Sequence, residues 1–226
     1  MSDTLPVHLG IILDGNRRWA KAKSKPTLEG HRQGLETFKD ISLAAFERGI
    51  HYVSAYIFST ENWQRTQEEV SYLMGLVVKG IDKHFQTFHE AGIKLLMLGS
   101  REGLDQKILK TIDQAVEKSK NNTKGVLSIC FNYGGQQEIA EAAQKLAAAG
   151  QEITIESISQ SLYQPQLPPV DYVIRTSGEA RLSGFMMWRT AYSELYFSDV
   201  LWPDFTTGDL DMALAEYAQR QRRFGN

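Results

Sequence analysis

One stretch of the chain decides the fold: His8-Leu9-Gly10-Ile11-Ile12-Leu13-Asp14-Gly15-Asn16. Its first six residues form a short apolar run, and Asp14-Gly15-Asn16 is a turn signal. An apolar run that stops at such a turn is typical of a buried strand. The stretch therefore predicts a strand that opens into a loop of polar side chains.

The same pattern recurs along the chain and alternates with segments of helical periodicity. This alternation predicts an α/β fold with a mostly parallel sheet. No linker or internal repeat divides the sequence, so we expect residues 1–226 to form a single domain with a central six-stranded sheet flanked by helices. The predicted strands are residues 8–13, 52–58, 93–98, 126–131, 171–174 and 195–197, and the predicted helices are residues 30–48, 67–90, 105–120, 135–149, 155–163 and 209–220.

The composition narrows the functional classes. A formal net charge of −2 gives no electrostatic reason to expect nucleic acid as a partner. The single cysteine, Cys130, excludes an internal disulfide and lies in an apolar run, which predicts a buried side chain. No apolar run approaches the roughly 18 residues that span a bilayer, and the polar start is not a signal peptide. We expect a cytoplasmic protein, and peripheral contact with a membrane is compatible with this sequence.

Polar residues collect where the predicted strands end. In parallel α/β sheets, ligands bind beyond the carboxyl ends of the strands. Four such ends combine glycine, arginine, hydroxyl and carboxylate groups, which indicates an anionic ligand. These clusters are residues 14–19, 59–65, 132–135 and 175–183.

The residue types in these clusters fit a phosphate site. Gly15 lets the backbone approach a ligand, and the N–H groups after it can form an anion-binding concavity at a helix N-terminus. Arg18, Arg175 and Arg181 offer planar donors suited to phosphate oxygens. Asp14 would repel a phosphate unless a cation lay between them, which predicts Mg²⁺.

Each of these features also has a purely structural interpretation. Arg17 and Arg18, followed by several lysines, are compatible with a solvated basic surface. Trp19 and Trp63 are compatible with core anchors, and Glu61 with a helix cap. Because polar clusters occur together at all four strand ends, the functional interpretation is favoured.

Several motifs resemble, in order, those of a known enzyme family. They are His8-Leu9-Gly10-Ile11-Ile12-Leu13-Asp14-Gly15-Asn16-Arg17-Arg18-Trp19-Ala20, Gly30-His31-Arg32-Gln33-Gly34, Phe58-Ser59-Thr60-Glu61-Asn62-Trp63, residues 171–185, Ala191-Tyr192-Ser193-Glu194-Leu195-Tyr196-Phe197, Leu201-Trp202-Pro203-Asp204-Phe205 and Arg222-Arg223-Phe224-Gly225. The family is that of the cis-prenyltransferases (undecaprenyl diphosphate synthases). The resemblance implies a Mg²⁺-dependent enzyme that lengthens an allylic prenyl diphosphate with isopentenyl diphosphate units and forms Z double bonds.

The resemblance also implies roles for individual residues. Asp14 matches the family's metal-associated aspartate, and Glu194 matches a carboxylate that joins the metal site. Catalytic roles are implied for Asp14, His31, Ser59 and Asn62, with Asn62 the candidate for orienting the isopentenyl unit or assisting its deprotonation. Substrate binding is implied for Gly15, Asn16, Arg17, Arg18, Trp19, Glu61, Trp63, Arg65, Arg175, Arg181, Ser183 and Arg223, with Arg223 reaching the site of a partner subunit.

The resemblance further implies a homodimer and a product, by default undecaprenyl diphosphate made from farnesyl diphosphate. A short-chain Z-prenyl diphosphate synthase is one alternative. A non-catalytic subunit of a heteromeric enzyme is another, although such subunits lose the aspartate and arginine motifs that this chain retains. The sequence has no P-loop, no dinucleotide-binding glycine motif and no paired aspartates of the trans-prenyltransferase kind.

Three positions depart from the family pattern, and one of them is Arg17, which stands where some relatives have glycine. Thr27 stands where many relatives have arginine, and Lys25 is a candidate to replace that diphosphate contact. Ile57 is larger than the alanine of many long-chain enzymes, which predicts a shorter product if this position lines the cavity for the growing chain. The apolar faces of the predicted helices 30–48 and 67–90 are candidate walls of that cavity.

Overall fold

Strand β1 (His8–Ile12) lies inside the sheet, and all five of its residues are buried. In the computed structural model, which describes residues 5–220, β1 pairs in parallel with β2 (Tyr52–Ser59) and with β5 (Tyr172–Arg175). The sheet is completed by β3 (Ile93–Leu98), β4 (Gly125–Tyr133) and β6 (Glu194–Phe197). All pairings are parallel, in the order β3-β4-β2-β1-β5-β6. The predicted parallel six-stranded sheet is confirmed.

The strand order changes direction at β1. The chain proceeds from β1 to β2 on one side and returns later to the other side with β5. Ligands of open α/β sheets bind in the crevice at the carboxyl ends of the strands, where the order switches. Asp14 follows β1 and Arg175 ends β5, so the topology brings both residues to this crevice.

Seven α-helices flank the sheet within residues 5–220. Six of them lie where the sequence predicts helices: α2 (Thr27–Glu47), α3 (Gln67–Glu90), α4 (Gln106–Ser119), α5 (Gly135–Ala148), α6 (Ile155–Ser161) and α7 (Thr207–Gln219). The seventh, α1 (Asn16–Ala22), occupies most of the expected loop after β1. Gly15 has a φ of 114° and lets the chain turn directly from the strand into this helix.

Several bounds differ from the predicted ones. β4 extends two residues further than predicted because it stays paired with β2, where Ser59 lies opposite Tyr133 after two register shifts. Short 3₁₀ helices, Thr60–Gln64 and Trp202–Asp204, occupy segments without a predicted element. Cys130 is buried, as expected. No helix within residues 5–220 has the length and apolarity to cross a membrane.

Candidate active site

Asp14 and Arg175 form the centre of the polar cluster at the strand ends. The Arg175 side chain is almost fully buried and donates from Nη2 to Asp14 Oδ2 at 2.8 Å. Arg18, one helical turn after Asp14, places its Nη2 3.4 Å from Asp14 Oδ1. The Asp14 carbonyl accepts hydrogen bonds from Thr176 Oγ1 at 2.6 Å and from the Trp202 N–H at 3.0 Å. The aspartate is thus fixed between two guanidinium groups.

The surroundings of Asp14 favour its carboxylate form and suit Mg²⁺. Partial burial opposes ionisation, but the hydrogen bond and charge of Arg175, with the charge of Arg18, outweigh it and hold the pKa of Asp14 below its usual value. Within residues 5–220, no three His, Cys, Asp or Glu side chains are grouped so that they could hold a metal. Mg²⁺ is usually bound by one or two carboxylates together with substrate phosphates. The donor set therefore fits Mg²⁺ shared with a phosphate ligand, and it does not fit a metal held by side chains alone.

Arg175 also anchors the loop that follows β5. Its Nη1 donates to the Arg181 carbonyl and, at 2.8 Å, to Ser183 Oγ. Its Nε is buried and has no hydrogen-bond partner among residues 5–220. A buried guanidinium with a spare donor carries a desolvation cost that an anionic ligand would relieve. The geometry thus brings Asp14, Arg18, Arg175 and Ser183 to one place, as predicted.

Glu179 belongs to this cluster, although the sequence analysis did not select it. Its carboxylate accepts from Arg18 Nη1 at 3.2 Å and pairs with Arg181 through its other oxygen. Arg18 also donates to the Ser177 carbonyl at 3.0 Å. Glu179 therefore holds together two arginines that are predicted to bind phosphate. The only signal for it in the sequence is its place between Arg175 and Arg181.

Two glycines bring α1 and α2 together beside the cluster. A Cβ on Gly30 would lie 2.1 Å from the Asn16 carbonyl oxygen, and a Cβ on Gly34 would lie 2.3 Å from Asn16 Oδ1. Only glycine allows this approach. Asn16 Oδ1 is buried without a hydrogen-bond partner among the residues described here. The spacing of the two glycines in the motif Gly30-His31-Arg32-Gln33-Gly34 therefore reflects contact with Asn16 at the site.

His31 lies in a second cluster, which is centred on Glu69. Glu69 Oε1 is 3.1 Å from His31 Nε2, 2.9 Å from Arg65 Nη1 and 4.0 Å from Arg17 Nε. Burial lowers the pKa of His31 although the Glu69 carboxylate opposes that shift, so the imidazole is predominantly neutral at pH 7. Sequence reasoning missed Glu69, whose one signal is its i, i+4 spacing from Arg65.

The last residue of β2 and the 3₁₀ helix after it place Ser59, Asn62 and Trp63 at the same sheet edge. Asn62 Oδ1 accepts from the Ser59 N–H at 3.1 Å and so caps the first 3₁₀ helix. The Trp63 indole donates to Asn132 Oδ1 at 2.7 Å. The Trp63 side chain is still partly exposed, and Glu61 is exposed as well. The structure assigns Asn62 a capping contact, and its catalytic role stays a prediction.

Trp19 points away from the cluster around Asp14. Its side chain is buried, and its indole donates to Asp204 Oδ1 at 2.6 Å. The ammonium groups of Lys23 and Lys25 lie over the ring, 4.6 and 5.4 Å from its centroid. These contacts support the structural interpretation of Trp19 as a packing residue. They also place Lys25 against Trp19, although Lys25 is the candidate to replace the contact expected at position 27.

Glu194 does not meet Asp14 within the described chain, and its role at a metal site stays a prediction. It is the first residue of β6 and lies at the amino end of the sheet. In register it is level with Leu9 of β1, one residue before Gly10. Asp14 is five residues further on, about 16 Å along an extended strand. The Glu194 carboxylate accepts from Arg220 Nη1 at 2.7 Å. The other tail prediction, Arg223, lies outside the described residues.

An apolar cavity opens beside the polar clusters. It contains about 910 Å³ of empty space, part of it open to solvent, between α2, α3 and the sheet. Asn16 and His31 line one part of it, so the cavity adjoins the charged crevice. Both predicted helices contribute to its wall, as does Ile57. The apolar lining from α2 and α3 includes Leu35, Phe38, Leu73, Val77, Ile81, Phe85 and Phe88.

Comparisons with known proteins find similar sequences and a similar fold. The family model of undecaprenyl diphosphate synthase matches residues 12–225. The chain is 44% identical to an isoprenyl transferase of Neisseria meningitidis, with 98% of this chain and 90% of that protein covered. It is 45% identical to an isoprenyl transferase of Thermotoga maritima, with 98% and 97% covered. The crystal structure of lavandulyl diphosphate synthase from Lavandula x intermedia, in complex with dimethylallyl diphosphate, superposes with a TM-score of 0.96 at 32% identity, with 99% of this chain and 100% of that one covered.

Proposed function

Because this chain belongs to the undecaprenyl diphosphate synthase family and is a prenyl transferase, we propose that it condenses isopentenyl diphosphate with an allylic prenyl diphosphate to give a Z-polyprenyl diphosphate. The proposed primer is farnesyl diphosphate, and the proposed cofactor is Mg²⁺. One observation carries the proposal: the Asp14–Arg175–Arg18 cluster adjoins an apolar cavity. A ligand that fits both regions has an anionic head and a hydrocarbon tail.

The allylic diphosphate is proposed to bind at the N-terminus of α1. Asn16 and the N–H groups after Gly15 face an anion favourably because the first N–H groups of a helix have no intrahelical partner. Arg18 and Asp14 are adjacent to this terminus. Asp14 would hold Mg²⁺, which when bound neutralises charge on the departing diphosphate. The arginines stabilise the same charge as the carbon–oxygen bond breaks.

The isopentenyl diphosphate is proposed to bind on the Arg175, Arg181 and Ser183 side of the crevice. Arg175 Nε supplies a buried donor, and the largely exposed Arg181, which pairs with Glu179, would exchange that partner for an incoming anion. With both diphosphates bound, the isopentenyl double bond lies near the allylic carbon, and this proximity contributes to the rate. His31, Ser59 and Asn62 are proposed to orient the isopentenyl unit or to assist loss of its proton, and the neutral imidazole of His31 is compatible with accepting one.

The hydrocarbon product is proposed to extend into the cavity between α2 and α3. Burial of its apolar surface there stabilises the bound hydrocarbon by roughly 25 cal/mol per Å² removed from water. The default product is undecaprenyl diphosphate. A shorter Z-prenyl diphosphate is a second candidate, because Ile57 lines the cavity and Phe38 and Phe88 pack together at its wall.

We also propose that the protein is a cytoplasmic homodimer that contacts a membrane only for product release. β6 is an edge strand, and near it Tyr192 is 82% exposed and Phe197 is 37% exposed. Exposed aromatic side chains beside an unpaired strand edge are typical of an interface. Sedimentation of the purified protein measures its oligomeric state directly.

The decisive experiment incubates the purified protein with Mg²⁺, labelled isopentenyl diphosphate and farnesyl, geranyl or dimethylallyl diphosphate, and separates the products by length. We expect a ladder that ends at one length and is lost in Asp14→Ala and after metal chelation. Asp40→Ala, which removes an exposed carboxylate on the adjacent α2, is the matched control and should keep the ladder. No product with any primer would overturn the proposal and favour a non-catalytic subunit.

A further inference from the structure

Glu36 of α2 contacts two residues of α3 beside the apolar cavity. Glu36 Oε1 accepts from Lys83 Nζ at 2.7 Å and lies 3.3 Å from His84 Nε2. The His84 side chain is buried and lines the cavity, whereas Lys83 is mostly exposed. These three residues, which we call the α2–α3 clasp, join the two helices that wall the cavity.

An apolar contact reinforces the clasp about one turn earlier on α3. A Cβ on Gly80 would lie 2.9 Å from Leu35 Cδ1, so the absence of a side chain lets the two helices approach closely there. Leu35 directly precedes Glu36 on α2, and Gly80 lies about one helical turn before His84 on α3. A polar contact and a close apolar contact therefore fix the helices at one level.

The helices also meet at a second level, near the charged crevice, through His31 and Glu69. From His31 to Glu36 the axis of α2 advances about 8 Å, whereas from Glu69 to His84 the axis of α3 advances about 22 Å. α3 therefore covers the longer path between the two contacts. Leu73 and Val77, which lie on this stretch of α3, line the cavity.

Aromatic side chains lie at the level of the clasp. Phe38 and Phe88 pack with their ring centroids 6.4 Å apart, and both line the cavity together with Phe85. We call Phe38, Phe85 and Phe88 the aromatic floor of the cavity. Because Phe85 directly follows His84, the position of the clasp governs where this floor lies. A chain that grows from the charged crevice along the cavity passes Leu73 and Val77 before it meets the floor.

We propose that the α2–α3 clasp limits product length by holding α3 against α2 at the aromatic floor. This inference rests on the proposed function, because it concerns the chain that the cavity receives. Glu36 and Lys83 act at a distance from the reacting atoms and are specificity-determining residues of the wall. Loosening the clasp lets α3 move outward, which lengthens the cavity and the product.

The test compares full-length Glu36→Ala with Asp40→Ala, which removes a carboxylate one turn later on α2 whose ion pair with Lys39 stays on that helix. Products of farnesyl diphosphate are separated by length, and hydrogen exchange of residues 80–88 is measured on both proteins. In Glu36→Ala we expect the fraction of product longer than the wild-type main product to rise, and amide exchange to rise roughly two- to fivefold, the range that loss of one partly exposed ion pair permits. Asp40→Ala should change neither quantity.

An unchanged ladder in a folded Glu36→Ala protein overturns the inference while the proposed function stands. If the wild type yields no product with any primer, the proposed function fails, and unchanged hydrogen exchange then refutes the clasp independently. Should Glu36→Ala not fold, Glu36→Lys and the double variant Glu36→Lys/Lys83→Glu replace it. We expect longer products from the single reversal and the wild-type ladder from the double one, and identical ladders would contradict the clasp.

Discussion

The charged crevice and the apolar cavity share Asn16 and His31, yet opposite kinds of interaction build them. In the crevice, each group is held by directed contacts, such as the 2.8 Å hydrogen bond from Arg175 to Asp14. In the cavity, the wall consists mainly of aliphatic and aromatic side chains that impose shape but no direction. The polar region is therefore suited to placing charge against an anionic group, while the apolar region is suited to enclosing hydrocarbon.

The two regions should therefore respond differently to substitution. Removing a buried charge leaves its partner unpaired and costs transition-state stabilisation. Changing the volume of a wall residue alters the space available and leaves the charges in place. Activity and product length should thus be separable, and the following predictions test that separation.

The largest effect is expected from Arg175→Leu. It removes the buried donor to Asp14 and the anchor of the loop that carries Ser183, so kcat/KM should fall by about 10²- to 10³-fold, measured as isopentenyl incorporation. Arg101→Leu, at an exposed arginine paired with Asp113, is the matched control and should keep its activity. Near-wild-type turnover by a folded Arg175→Leu protein would show that the crevice does not bind the diphosphates as proposed.

A pH change should disrupt both regions together through β1. His8 is buried between Pro168 O and Ser54 Oγ, at 2.9 and 2.8 Å, and burial lowers its pKa to about 4. Below the unfolded pKa of about 6.5, the His8 side chain binds a proton in the unfolded chain but not in the native protein. The free energy of unfolding should therefore decrease as the pH is lowered from about 6.5 to about 4, by up to about 3 kcal/mol.

Urea denaturation between pH 7.5 and 4.5 measures the contribution of His8. His8→Asn should lower the free energy of unfolding and make it depend less on pH. The control His51→Gln, at an exposed histidine, should keep the pH dependence of the wild type. Equal slopes in wild type and His8→Asn would refute the assignment to His8.

A smaller change in stability, together with a change in product, is expected from Ile57→Ala. The shorter side chain enlarges the cavity, so products should become longer while the first condensation proceeds at nearly the wild-type rate. Since Ile57 is only partly buried and lines a cavity, the free energy of unfolding should fall by about 2 kcal/mol, the lower end for such truncations. Ile57→Leu conserves volume and should keep the wild-type ladder. A ladder of unchanged length in Ile57→Ala would show that this wall position does not limit the product.

Local pattern was sufficient for most of the fold because hydrophobic periodicity and turn residues act over a few neighbouring positions. β1, its polar carboxyl end and the helices α2 and α3 all lie close to their predicted bounds. The pattern indicated a helix N-terminus after Gly15 but gave no bounds for α1, since that helix depends on the left-handed conformation of a single residue, Gly15. It also ended β4 too early, because the last residues of that strand are held by pairing with β2.

For the candidate site, residue chemistry identified the groups but not their partners. Asp14, Arg18, Arg175 and Ser183 meet as expected because the carboxyl ends of parallel strands share one edge. Trp19 and Glu194 were selected from the resemblance, yet they contact Asp204 and Arg220.

The sequence alone determined the α/β class, the parallel sheet and the anion-binding character of its carboxyl edge. These follow from periodicity and from residue types, which each position carries independently of the rest of the chain. The tertiary structure alone decided that Glu179 links two arginines, that Glu69 binds His31, and that Glu36 joins α2 to α3. Each of these contacts bridges different elements or the two sides of a loop, and only the packing of the folded chain determines which side chains meet.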